Sequence, residues 1–250
     1  MQFTDPLTIF FFLVGIICGS FGNVLAYRIP KDHSICGRSK CPNCNKQIES
    51  RDLIPILSYI LLSGKCRNCH ESISLQYPFV EFASGVLFVI AFIMAPGNVA
   101  IAFLLSLTLW VLFIIAMIDA QTQGIPDVLN GAFILLAGFY AFLTGNFAYL
   151  GPLIAAGFFL VQWKVSSGRW VGSGDIFLAL GIGLLLGDVP RIICMLGASY
   201  IIGAVIAGFL LCTGKKTRQD YLAFGPFLAA GALVTLLWGD HIVYLLWWGV

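Results

Sequence analysis

The sequence predicts an all-α polytopic membrane protein with about eight transmembrane helices and one small polar insert. Three observations carry this. Hydrophobic residues fill 59% of the 250 positions and charged residues only 10%, against roughly 45–50% and about 25% in soluble domains. Long uncharged apolar runs recur along the chain, most of them long enough to cross a bilayer core. The basic residues are gathered rather than dispersed: eight of the 14 Lys and Arg lie between Arg28 and Arg67.

The first span runs from Pro6 to Tyr27. No basic segment precedes it, so it reads as a retained span rather than a cleavable signal. Its second half, Gly19-Ser20-Phe21-Gly22-Asn23-Val24, carries small residues that permit close helix packing, and Asn23 needs a partner inside the membrane. Residues 28–76 form the one sizeable polar insert. Its apolar middle, Leu53–Leu62, is too short to span and is expected at the interface or against the membrane domain. Seven further apolar stretches follow: Tyr77–Ala95, Val99–Ile118, Val128–Thr144, Leu150–Trp163, Gly174–Leu186, Ile192–Cys212 and Tyr221–Trp238. Leu150–Trp163 and Gly174–Leu186 are short enough to be re-entrant or to line a cavity. The tail 241–250, with Trp247 and Trp248, reads as an aromatic interfacial end. No internal repeat is evident. The expected division is a first span (1–27), a metal-binding insert (28–76) and a membrane core (77–250).

Charge sets the expected orientation. With the 28–76 insert in the cytoplasm, alternation of the spans places 13 of the 14 basic residues there, leaving only Arg191 outside. The same alternation brings Asp119, Asp127 and Asp175 to the cytoplasmic face. Nucleic acid is a poor partner for the insert, because Asp32, Glu49, Asp52 and Glu71 are interspersed with its basic residues.

Two clusters carry chemistry. Cys41-Pro42-Asn43-Cys44 and Cys66-Arg67-Asn68-Cys69 are separated by 21 residues, a spacing that suits one tetrahedral Zn²⁺. Disulfides or free thiols are the alternatives, and a reducing cytoplasm argues against disulfides. Four Cys ligands leave no open position, so the metal would be structural, supplying folding energy to an insert too small for a real core. His70 adjoins Cys69 as a bystander. The second cluster is carboxylic. Asp119 closes an apolar run with no basic neighbour, and Asp175 follows Gly172-Ser173-Gly174 at the mouth of another. A membrane carboxylate is expensive and usually functional. Asp127, after Ile125-Pro126, is as readily a helix-start acid, and Asp175 taken alone could cap its own helix. As a pair, Asp119 and Asp175 could share one proton, one acting as acid and the other as base on a water. No Ser–His pairing, H-E-x-x-H or phosphate-binding loop competes, and His33, His70 and His241 are scattered.

In order and spacing these motifs resemble the bacterial type IV prepilin peptidases, the leader peptidases and N-methyltransferases of pilus and type II secretion systems. The resemblance covers nearly the whole chain. It rests on Gly19-Ser20-Phe21-Gly22-Asn23-Val24 with Arg28 and Pro30, the two cysteine pairs, Ile54-Pro55 with Ser58-Tyr59, Tyr77-Pro78 with Val80-Glu81, Ile118-Asp119 with Ile125-Pro126-Asp127, Gly172-x-Gly174-Asp175 and Phe224-Gly225-Pro226-Phe227. It implies a multi-pass enzyme of the bacterial inner membrane, a GxGD aspartyl protease with Asp119 and Asp175 catalytic. Gly172, Gly174 and Asp127 would support them. Such an enzyme cleaves prepilins or pseudopilins after a conserved Gly at the cytoplasmic face. It then methylates the new N-terminus with S-adenosylmethionine; Gly19, Asn23, Arg28 and Glu81 are the residues this reading attaches to methyl transfer or substrate binding. The chain departs from the family's pattern at Phe177, often Lys, and at Gln121 and Gln123, near a position that is commonly basic. The competing expectations are a protease-only member acting on related pilin-like signals, and a small transporter with a zinc module.

Overall fold

A computed structural model of the chain describes residues 5–146, 148–217 and 220–247, and among them nine α-helices and no strand. They are α1 (Pro6–Arg28), α2 (Leu57–Leu61), α3 (Gln76–Met94), α4 (Val99–Thr122), α5 (Asp127–Thr144), α6 (Leu150–Ser166), α7 (Ser173–Leu186), α8 (Val189–Cys212) and α9 (Gly225–Trp247). Local chemistry sets the ends. Asp5 accepts the Leu7 N–H at 3.1 Å ahead of Pro6, Asp188 accepts that of Arg191 at 3.0 Å ahead of Pro190, and Gly145 closes α5 in the left-handed conformation.

Six of these helices are long and apolar enough to cross a membrane: α1, α3, α4, α5, α8 and α9. The other two apolar helices, α6 and α7, have 17 and 14 residues. At 1.5 Å per residue α7 is about 21 Å long, short of a hydrocarbon core of about 30 Å. The expected eight spans are therefore six span-length helices and two shorter ones.

The chain packs as two compact units, Met1–Trp110 and Val111–Val250, with the division inside α4. In the first, α1 lies along α3. Gly19 makes the approach possible: a Cβ there would sit 2.6 Å from the Glu81 Cα and 2.9 Å from the Ser84 Cβ. Phe11 stacks on Phe92 with ring centroids 4.7 Å apart. The expected division placed α3 with the core of 77–250, whereas its packing partner is the first span. Residues Leu53–Leu62 become a 3₁₀ turn (Ser50–Leu53) and α2, with Leu57, Ile60 and Leu61 exposed.

In the second unit α7 is central, packed by α5, α6 and α9. It is apolar all round, as a helix sheathed by protein should be, and Leu178, Ala179 and Ile182 are fully buried. This accounts for its length: it need not match the bilayer. Gly183 of α7 is sealed against the Pro152 backbone of α6. Gly183→Ala is expected to destabilise the fold by about 1–3 kcal/mol, because neither backbone can yield without moving a helix; thermal unfolding in detergent reads this directly. The expected tail at 241–250 also changes. Residues 241–247 continue α9, and Trp248 lies outside the described residues.

Candidate active site and metal centre

The cysteine insert is built from two copies of one turn. Lys40 pairs with Gln47 and Lys65 with Ser72 as isolated antiparallel bridges. Within each turn the N–H of the first Cys donates across it, Cys41 to the Lys46 carbonyl at 3.0 Å and Cys66 to the Glu71 carbonyl at 2.8 Å. The residue after each second Cys, Asn45 or His70, takes a left-handed conformation (φ 57° and 58°) and donates its N–H to the carbonyl of the first Cys. His70 is thus a turn residue, equivalent to Asn45. The insert contains a short repeat with a 25-residue offset, in which Lys40, Cys41, Asn43, Cys44 and Ile48 recur as Lys65, Cys66, Asn68, Cys69 and Ile73.

The four sulfurs lie within 4.8 Å of one another, and Cys41 Sγ and Cys69 Sγ are 3.8 Å apart. Disulfide sulfurs would be about 2.05 Å apart, whereas tetrahedral ligands on zinc, with bonds of about 2.3 Å, are about 3.8 Å apart. Backbone N–H groups of Cys69 and Asn68 aimed at the Cys66 sulfur hold its thiol down to about 6. At Cys69 the Glu71 N–H is outweighed by burial and the neighbouring sulfurs, which push the thiol up to about 11, so a metal cation is needed to hold all four as thiolates. The donor set fits zinc. Arg67 pairs bidentately with Asp52 at 2.6 and 2.8 Å, tying the second turn to the 3₁₀ segment.

The two aspartates belong to the second unit. Asp119 does not end its helix, as the apolar run implied; α4 continues one turn further, to Thr122. Its carboxylate is buried, 5% exposed, and its Oδ2 accepts the N–H of Gly225 at 2.8 Å. Asp175 is in the first turn of α7, 7% exposed. Its Oδ2 accepts the N–H of Gly172 at 2.9 Å, while its Oδ1 is buried without a hydrogen-bond partner. Both carboxylates thus lie buried in one unit, each with an oxygen bonded to a glycine N–H. No cation pairs with either among the described residues.

The neighbouring residues position them. Gly174 lies against Ile125, where a Cβ would come within 2.9 Å of the Ile125 Cβ. Asn130 of α5 donates to the Gly174 carbonyl at 3.0 Å. Asp127 is an exposed first-turn acid of α5 and holds no part of the pair. Phe177 is half exposed and leaves α7 about 200° round from Asp175, so its aromatic ring stands in for a lysine without taking a contact from the carboxylate. Gly225 and Asn130 carried no role in the sequence reading. A Gly-Pro at the head of an apolar run was the available signal for the first; nothing short of the packing marks the second.

Gly19, Asn23, Arg28 and Glu81 come together only in part, on the α1–α3 side of the first unit. Arg28 donates to the carbonyls of Ser34, Ile35 and Cys36 at 2.9–3.1 Å, clamping the start of the insert. Asn23 donates to the Tyr77 carbonyl at 3.1 Å, and Glu81 accepts the Ile56 N–H at 2.7 Å. With Gly19 sealed against α3, these residues make a packed helix seam and a loop clamp.

The fold and the site together define a class: a polytopic helical membrane protein with a buried aspartate pair and a four-cysteine module. Comparison with known proteins narrows it. Residues 13–95 match the bacterial peptidase A24 N-terminal domain, and residues 105–208 match the type IV leader peptidase family. The chain is 35% identical to the prepilin leader peptidase/N-methyltransferase of Bacillus subtilis (strain 168) over 93% of its own length and 94% of that protein's. It is 33% identical to the protein of the same name from Aeromonas hydrophila, over 92% of this chain and 90% of the relative. A Burkholderia pseudomallei (strain K96243) protein, also of that name, is 31% identical over 95% and 87%. The chain belongs to the type IV leader peptidase family. No solved structure matches it.

Proposed function

We propose that the chain cleaves the leader peptide of type IV prepilins with Asp119 and Asp175 and then N-methylates the new terminus. It is a prepilin peptidase of the aspartic class with N-methyltransferase activity, and it is a multi-pass membrane protein. The observation that carries the peptidase assignment is the pair itself. Two buried carboxylates from α4 and α7 share one unit, each with one oxygen held by a glycine N–H, and Asp175 keeps a second oxygen without a partner.

The chemistry follows from that arrangement. Two adjacent carboxyls in an apolar setting hold one proton between them. The ionised member takes a proton from water as its oxygen attacks the scissile carbonyl carbon. The protonated member gives its proton to that carbonyl oxygen. On collapse of the tetrahedral intermediate the newly protonated member gives its proton to the departing nitrogen, the other takes one from a hydroxyl of the intermediate as the carboxylic acid forms, and the pair is left with one proton. The unpartnered Asp175 Oδ1 is the atom assigned to the water. Gly172, exposed just ahead of α7, leaves room for an extended substrate backbone beside it, while Gly174 lets Ile125 pack closely behind.

The positive-inside balance supports a site that faces the cytoplasm. Pseudopilins share the leader chemistry and fall within the proposed substrate range. Zn²⁺ on Cys41, Cys44, Cys66 and Cys69 would hold the insert folded and takes no part in cleavage. S-adenosylmethionine is the proposed methyl donor; what the chain's own residues supply to that step is a free N-terminus generated by the peptidase. The test is the purified protein in liposomes with a full-length prepilin and labelled S-adenosylmethionine. Leader release followed by label on the mature N-terminus is expected. Label on uncleaved prepilin, or cleavage with no label, would break the assignment of two sequential activities.

A further inference from the structure

We propose that Gly225 is a positioning residue of the peptidase site, and that the segment Tyr221–Gly225 is its third component beside the two aspartates. This rests on the Asp119–Asp175 reading above and deepens it.

Gly225 stands at the head of α9, and its N–H is the one hydrogen-bond donor to the Asp119 carboxylate among the described residues. The position admits no larger residue: a Cβ would lie 2.7 Å from Asp119 Oδ2 and 3.2 Å from its Cγ. As the first residue of α9, Gly225 has an N–H with no acceptor inside the helix, which leaves it available to the carboxylate. That N–H fixes one Asp119 oxygen and so orients the other. An acid–base pair needs this, since misplacement by about 1 Å can cost about 10²-fold in rate.

The segment is itself held at both ends. Phe224 packs among Phe159 of α6, Tyr200 of α8 and Phe227 of α9, with centroids 5.8, 5.0 and 5.9 Å away. The Tyr221 carbonyl accepts from Gln123 Nε2 at 3.0 Å and from Lys216 Nζ at 2.6 Å. Gln123 lies one helical turn beyond Asp119, its N–H donating to the Asp119 carbonyl at 2.8 Å and its backbone left-handed (φ 55°). The end of α4 thus grips the 221–225 segment twice, through the Asp119 side chain and the Gln123 side chain. Gln123 acquires a role that a bare comparison of charges conceals.

The test is steady-state cleavage of a prepilin by Gly225→Ala and Gln123→Ala in liposomes, with Asp119→Asn and Asp175→Asn alongside. Gly225→Ala is expected to lower kcat about 10²-fold, leave KM within about twofold, lower the thermal transition only slightly because the added Cβ need displace only the Asp119 carboxylate, and leave methylation of a pre-cleaved pilin unchanged. Gln123→Ala places no atom near Asp119 and is expected to lower kcat by several-fold at unchanged KM. Wild-type kcat in Gly225→Ala overturns the proposal, as does a loss expressed only in KM. If Gly225→Ala does not fold, wild-type kcat in Gln123→Ala overturns it instead. Full activity in either aspartate variant sinks the underlying peptidase reading, whatever the glycine does.

Discussion

Asp119→Asn and Asp175→Asn are each expected to lower prepilin cleavage by at least about 10²–10⁴-fold, the range attributed to a positioned general acid or base. Asn keeps the size of the side chain and can still accept the N–H of Gly225 or Gly172. The loss would therefore be one of proton transfer rather than of packing. Both residues are buried in a unit whose core is apolar, and removing a carboxylate from such a place costs no stability. The folding transition should hold or rise, and that separates a chemical role from a structural one. Methylation of a pilin supplied already cleaved should persist in both variants. Cleavage by mass spectrometry and melting by intrinsic fluorescence are the two readings required.

The second large effect concerns the insert. Cys41→Ser or Cys69→Ser is expected to reduce bound zinc from about one ion per chain to nearly none, because four thiolates closing a tetrahedral site leave no substitute ligand. The apparent binding energy of such sites, about 10–16 kcal/mol in small peptides, is folding energy. Residues 28–76 should then become open to proteases while the helices stay protected. Cleavage activity should fall less steeply than in the aspartate variants, since no metal enters the dyad chemistry. Elemental analysis with limited proteolysis checks this. Full zinc content in either variant would contradict the four-ligand site.

Much of this was legible in the chain because apolar runs and their punctuation are local. Pro6, Asn98, Pro126 and Pro190 mark helix starts through their own backbone and side-chain chemistry, and the observed helices begin within a few residues of them. The last helix was misplaced at both ends for reasons that are not local. Gly239-Asp240-His241 reads as a break, yet Asp240 is satisfied by Arg191 of α8, with Oδ1 2.6 Å from Nη2, and α9 runs on through it. At its start, Tyr221–Phe224 is apolar enough to be helix, but the segment is drawn away by Gln123, Lys216 and the aromatic cluster. The two shorter helices stood out by length alone, since in composition a helix buried in protein and one buried in lipid use the same residues.

The site divides in the same way. Asp119, Asp175 and the four cysteines stand out because each is chemically costly or conspicuous where it lies. Gly225 and Asn130 act through a backbone N–H and a side-chain amide at long range, and their identity says nothing about the partner. Gly19, Asn23, Arg28 and Glu81 were conspicuous too, yet their hydrogen bonds and packing hold a helix seam and a loop. A polar residue in an apolar run announces a cost without saying whether structure or chemistry offsets it.

The central claim is that Asp119 and Asp175 work as one unit. The most direct measurement is the residual cleavage rate of Asp119→Asn/Asp175→Asn beside the two single variants. If the carboxyls share a proton, removing either already disables the pair, and the double variant should be no slower than the weaker single. Residual rates that multiply, with the double variant losing the product of the two single losses, would mean that the aspartates act independently and would contradict the shared site.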